Sequence, residues 1–187
     1  HGFPPHAQGG SEIYAEASAR ALTAAGDTVL VLTREADPSK PEYAVREEQR
    51  DGMRIVWINN TFRNVTTFEE SYTQPRIANI AATVIADFAP DVAHLHHLTC
   101  LSTLIPARLA DAGVPCVATL HDYWLLCHRG QLLDRHLHVC ANAGQCGDCI
   151  EPASLSPTLG QAAALVRQVE ARVPRRLTRM LRQVGTA

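Results

Sequence analysis

Apolar positions in this chain come in short blocks, and the blocks alternate in character. Residues 28–33 (Thr-Val-Leu-Val-Leu-Thr) and 53–58 (Met-Arg-Ile-Val-Trp-Ile) are near-continuous apolar runs. Runs of that length predict strands of a sheet covered on both faces. Residues 92–96 (Val-Ala-His-Leu-His) and 114–120 (Val-Pro-Cys-Val-Ala-Thr-Leu) hold a third and a fourth strand. Residues 11–25 instead place Ile13, Ala17, Ala21 and Leu22 at helical spacing, with Ser11 as a candidate N-cap, Glu12 in the first turn and Gly26 as the stop. Further helices are predicted over 75–88, opened by Pro75, and over 101–112, with Gly113 just beyond. The polar segments 35–50 and 59–74 read as loops. Cys100 and Cys116 fall in a strand-end turn and a strand, and read as core residues.

Strands alternating with helices at this spacing predict βαβ units, hence an α/β fold with a Rossmann-like, doubly wound parallel sheet. The segment before the first helix is loop chemistry, with two Pro and three Gly in residues 1–10. A Gly-rich loop opening a first helix normally follows a first strand, and that strand would lie before His1. The chain has 187 residues, 46% apolar and 19% charged, with a net charge of −2. That describes one globular domain and excludes a nucleic-acid binder that works by bulk positive charge. No apolar run approaches a membrane span of about 18 residues, and no signal peptide is in view, so a cytoplasmic location is expected. Sixteen of the 17 basic residues are Arg, the usage of a GC-rich bacterial genome.

Candidate chemistry falls in four places. Gly9-Gly10-Ser11 at a helix start offers backbone N–H groups and the positive end of a helix dipole to a phosphate or diphosphate. The same triplet also serves as an ordinary turn, and with no Lys following it is not a Walker loop. The second place is the pair of strand ends: His94, His96 and His97 close the third strand, and His121, Asp122, Tyr123 and Trp124 follow the fourth. Ligands of open α/β sheets bind at such ends, and polar groups mixed with aromatic ones suit a sugar or phosphosugar. His121 is the candidate to orient a hydroxyl or stabilise developing charge. Alternation along the strand puts His94 and His96 on one face, where one of them could pack against a helix.

The third place is a Cys-rich loop insertion over 127–149. Cys127, Cys140, Cys146 and Cys149 are spaced C-x12-C-x5-C-x2-C, which suits a closed structural zinc site, with His128, His136 and His138 as substitute ligands. Reduced thiols or two disulfides are the alternatives. The fourth is a basic amphipathic segment over 157–184, with six Arg and one Glu in residues 167–182 and a kink expected at Pro174. It reads as a surface helix over the sheet or as an element that touches anionic lipid.

Taken together, the opening run His-Gly-Phe-Pro-Pro-His-Ala-Gln-Gly-Gly-Ser-Glu, the segment Asp91 to His96 and the segment Ala118 to Trp124 resemble the N-terminal domain of a family 4 glycosyltransferase. The resemblance covers about the first 150 residues. It implies one Rossmann-like half of a GT-B enzyme, which transfers a sugar with retention from a nucleotide-sugar donor to an acceptor hydroxyl. It implies that this half mostly binds the acceptor, a glycan or a lipid-linked sugar of cell-envelope or polysaccharide synthesis. Gly9 and Gly10, with Ser11, match the loop near the donor diphosphate. His121 matches the active-site histidine. His96 and His97 match the neighbouring strand end, and Asp122 and Trp124 join the binding set. The first strand, and a C-terminal donor domain with its Glu-x7-Glu motif, are not in the sequence, so these 187 residues are expected to be inactive alone. A peripheral location at the inner face of a membrane would follow from a lipid-linked acceptor. A non-catalytic module for sugar, nucleotide or protein binding, with a zinc knuckle, is the alternative. A nicotinamide-dependent oxidoreductase is disfavoured by the missing G-x-G-x-x-G.

Overall fold

The computed structural model describes residues 2–134, 137–140, 146 and 149. The chain forms two units, His1–Leu132 and Leu133–Ala187. Residues 157–184, where the basic amphipathic segment is expected, lie outside the described residues, as does His136.

The first unit opens with helix α1 (Gly10–Ala25). Gly26 closes it in the left-handed region, at φ 100°, and its N–H bonds the carbonyls of Leu22 and Thr23. That is the stop the sequence predicts. The N-cap is Gly9 and not Ser11, which sits inside the first turn.

Strands β1 (Leu30–Glu35), β2 (Val45–Arg50) and β3 (Met53–Asn59) form one sheet in the order β1-β3-β2. β1 runs parallel to β3, pairing Leu30 with Arg54, and β2 runs antiparallel, pairing Val45 with Ile58. β4 (Ala93–Leu95) and β5 (Cys116–Ala118) form a second, parallel pair. The expected single, wholly parallel sheet is therefore corrected to two sheets, the larger one mixed. The expected loop over 35–50 also contains β2. Its six residues, Val-Arg-Glu-Glu-Gln-Arg, alternate exposed and half-buried because the strand lies at the sheet edge with one face in water. The β2–β3 connection is Asp51-Gly52, both at positive φ (52° and 80°), a tight turn whose twist matches the two strands it joins.

β3 is the centre of the fold. Met53, Ile55 and Trp57 face one core, shared with Phe3 and with Ala19 of α1. Ile58 faces the other, shared with α2 (Pro75–Phe88) and α3 (Ile105–Asp111) through Ile77, Ala81, Ile85, Ile105 and Leu109. α2 buries Ile77, Ala78, Ala81, Val84 and Ile85, the one-face stripe of a 3.6-residue period. α3 starts at Ile105, later than predicted, because the Ser102 hydroxyl accepts from the N–H groups of Gln74 and Leu104 and holds residues 101–104 as a turn. The wholly buried Asn59 stitches the segment after β1 to β3. It donates to the carbonyls of Asp37, Lys40 and Pro41 and accepts from the Asp37 N–H. Cys116 is exposed on β5, not part of a core, and Cys100 is half-buried.

In the second unit, Leu133 and Val139 form an antiparallel bridge, closed by a turn in which the Asp134 carboxylate accepts the His138 N–H.

Candidate functional site

The site grows from the pairing of β4 with β5. Leu95 faces Ala118, and the Thr119 N–H continues the ladder to the Leu95 carbonyl at 2.9 Å. Both strands then end side by side, so the residues after each must share one edge. That brings His96 and His97 against His121 and Asp122.

Two arrangements result. In the first, His96 Nδ1 and His121 Nε2 are hydrogen-bonded at 3.1 Å. His94 packs against His96 with the rings tilted by 36° and centroids 4.1 Å apart, and bonds the Thr119 hydroxyl through Nε2 at 2.7 Å. His94 and His96 share a face, as alternation requires, and the helix contact falls to His96. Tyr14 of α1 sets its ring edgewise against His96 and His121, at 5.8 and 5.3 Å. Burial, then the neighbouring charges of His94 and His121, push the His96 imidazole down to about 4. It is therefore neutral at neutral pH.

In the second, His97 is tied at both nitrogens. Nε2–H donates to Asp122 Oδ2 at 3.2 Å, and Nδ1 accepts from the N–H and the hydroxyl of Thr99. Burial lowers the His97 pKa, and the Asp122 carboxylate opposes that without reversing it. Asp122 Oδ1 accepts the Trp124 N–H at 2.9 Å, and the Trp124 ring lies 5.4 Å from His97. The chain Thr99–His97–Asp122–Trp124 thus braces one strand-end loop against the other.

Between them is a cavity of about 220 Å³, lined by His96, His97, Thr119, His121, Asp122 and Trp124, with Leu98 and Leu125 as apolar wall. Drug-sized ligands occupy about 300–1,000 Å³, so this cavity takes one part of a ligand. A larger depression of about 450 Å³ lies between α2 and α3, around Asn79, Ala82 and Arg108. It is an open groove of small side chains and gathers no reactive group.

The helix start is arranged differently from expectation. The Glu12 side chain folds back over Gly9, where an added Cβ would collide with the carboxylate. Burial pushes Glu12 up, but the Ser11 hydroxyl at 2.9 Å and the backbone amides of Glu12 and Gly2 outweigh it and hold the carboxyl below its usual range. The positive end of α1 thus already faces an internal anion. A Cβ on Gly10 meets nothing within 4 Å. Gly10 lies one turn before Tyr14, the residue that joins α1 to the histidines. Glu12→Gln is expected to cost about 0.5–1 kcal/mol at neutral pH. Because the folded-state pKa is depressed, this contribution is present above the ordinary carboxylate range and is lost as pH falls through the lowered value. Urea unfolding at neutral pH and near pH 3 checks it, and a wild-type-to-mutant gap that persists in acid would refute it.

Four of the expected residues (His96, His97, His121 and Asp122) are hydrogen-bonded in pairs, and Trp124 joins them through Asp122. Sequence reasoning missed Tyr14, Thr99 and Thr119. Tyr14 was visible only as a residue four positions after Gly10, with nothing to mark its partner. The expected zinc site at Cys127, Cys140, Cys146 and Cys149 is not supported. Among the described residues, no group of three or more His, Cys, Asp or Glu could hold a metal ion. Burial pushes the Cys127 thiol up, but backbone amides of Arg129, Leu132, Gln131 and Gly130 hold it below the usual thiol range. Its sulfur is thus served by its own turn.

Parallel strands that end in a polar cavity are the arrangement in which open α/β domains bind ligands. The chain belongs to the glycosyl transferase 4-like domain family, whose sequence pattern matches residues 9–180. It is a transferase domain of the glycosyl-transferring kind. The match takes in residues 127–149 and runs past the first 150 residues. No curated protein and no solved structure matches the chain. No described helix is long and apolar enough to cross a membrane.

Proposed function

We propose that this domain forms the acceptor side of a retaining glycosyltransferase, which moves a sugar from a nucleotide-sugar donor to a hydroxyl of a glycan or lipid-linked acceptor in cell-envelope or polysaccharide synthesis. The observation that supports this best is the cavity at the ends of β4 and β5, where three imidazoles, a carboxylate and an indole converge. Trp124 offers an apolar ring to one face of a sugar, and Asp122 and the histidines offer partners for its hydroxyls. His121 is assigned to contact with the transferred sugar or the attacking hydroxyl. Gly9, Gly10 and Ser11 are assigned to the side of the donor diphosphate, where Gly10 leaves room for close approach. Residues 157–184 are assigned to anionic lipid at the inner face of the membrane.

The test is a panel of nucleotide-sugar donors offered to the protein, with the anomeric configuration of the product read by NMR. Turnover of at least one donor with retention is expected. Acceptor glycans that bind while no donor is bound or consumed would replace this reading with that of a non-catalytic binding module.

A further inference from the structure

We propose that His96 is a positioning residue for His121: its hydrogen bond takes up Nε2 of His121, fixes the orientation of that imidazole and couples its tautomer to that of His96, and leaves Nδ1 as the atom offered to a ligand hydroxyl. The inference deepens the proposed role of His121, and only its activity arm rests on that role.

The geometry carries it. The two rings are close to parallel, at 24°, with centroids 5.4 Å apart and the nitrogens at 3.1 Å. On the far side of His96 lies His94, whose own Nε2 is tied to Thr119. From α1, Tyr14 closes the edge of both rings. His96 is therefore held on three sides, and its Nδ1 is used by His121. Nδ1 of His121 has no hydrogen-bond partner among the described residues.

A bond between two imidazole nitrogens needs one donor and one acceptor. The groups that face His96 are His94 on its own strand, His121 beyond β5 and Tyr14 on α1, with the neighbouring Asp122 carboxylate engaged by His97 and Trp124. None of the three contacts places an anion on His96 to favour its cation. Burial and the two histidine neighbours keep His96 neutral, so it presents either Nδ1–H or a bare Nδ1 to its partner. Whichever it presents, the bond requires Nε2 of His121 to take the opposite part. The two rings are therefore coupled in tautomer, and in either arrangement Nδ1 of His121 is the nitrogen left for a ligand.

The experiment is long-range ¹H–¹⁵N correlation of the imidazole nitrogens in the 187-residue chain, from about pH 5 to 8. It compares wild type with His96→Phe and His96→Asn. In wild type, the shift of His121 Nε2 should be complementary to that of His96 Nδ1, one nearer the protonated value where the other is nearer the bare value. His96→Phe should shift the His121 nitrogens, and His96→Asn, which keeps a polar group beside Nε2, should restore them toward wild type. Shifts that are not complementary in wild type overturn the proposal without any variant, and so do unchanged His121 shifts in His96→Phe. On a donor that the wild type uses, His96→Phe should lower kcat by about tenfold or more while KM changes little, because a ring without its anchor no longer holds Nδ1 toward the ligand. His96→Asn should recover most of it. If the shifts behave as expected and kcat does not move, the positioning inference stands and the catalytic role of His121 falls.

Discussion

His121→Ala should lower glycosyl-transfer turnover by about 10²-fold or more, the usual loss when a positioned polar group is removed from a reacting centre. The loss should be separable from unfolding. His121 is half-buried, follows the end of β5 and is held by one imidazole bond and by ring contacts with Tyr14 and His96. No member of either apolar core rests on it. The variant should therefore unfold within about 1 kcal/mol of wild type, as substitutions away from the core do. The neighbouring brace supports the same view, since Asp122 remains tied by His97 and by the Trp124 N–H when His121 is gone. The measurement is kcat on a donor that the wild type uses, beside the urea midpoint of each protein. Wild-type turnover in a folded variant would remove His121 from the reaction.

Where local rules acted alone, the structure follows the sequence closely. α2 is visible in its stripe of buried apolar residues and in Pro75 at its start, and Gly26 marks the end of α1 because only a left-handed residue completes that cap. The two strand-end histidine groups were also legible, since parallel strands must end on the same edge. What failed to show depended on context. β2 has one apolar residue in six, because an edge strand half in water has no need of more. The Asp51-Gly52 pair was its only local signal. Ser11 is a good cap by residue type, yet the Glu12 carboxylate, which reaches back over Gly9, serves the helix start instead. Tyr14 is one exposed aromatic in a helix, and only the docking of α1 reveals that it faces two histidines. The cysteine spacing gives only what a chain can reach, and part of the loop that carries it lies outside the described residues.

Trp57→Ala should be the most damaging single change to stability, costing about 3–5 kcal/mol. Trp57 is 0% exposed at the middle of β3. Phe3 and His6 set their rings edgewise to it, at 6.4 and 5.4 Å, and the Arg46 guanidinium lies 4.5 Å over it from the paired position on β2. Arg46 is held there by Glu35 at 2.7 Å and Glu48 at 2.8 Å. Truncation leaves a cavity that two strands and the opening segment all border. A loss of that size is a large part of the roughly 5–15 kcal/mol that keeps an ordinary domain folded. Trp57→Phe should cost far less, below about 1.5 kcal/mol. The buried Nε1–H of Trp57 has no acceptor among the described residues. Removing it relieves a penalty of about 1–3 kcal/mol that offsets much of the lost contact. The damage should also reach the site. Phe3 and His6 anchor residues 2–9 to the core, and those residues lead directly into α1, which carries Tyr14 to the histidines. In Trp57→Ala, amide exchange should therefore rise through residues 2–14 before it rises in α2. Urea unfolding of both variants with site-resolved hydrogen exchange tests this. An Ala variant that unfolds within about 1 kcal/mol of the Phe variant would show that Trp57 is not the packing centre of this sheet.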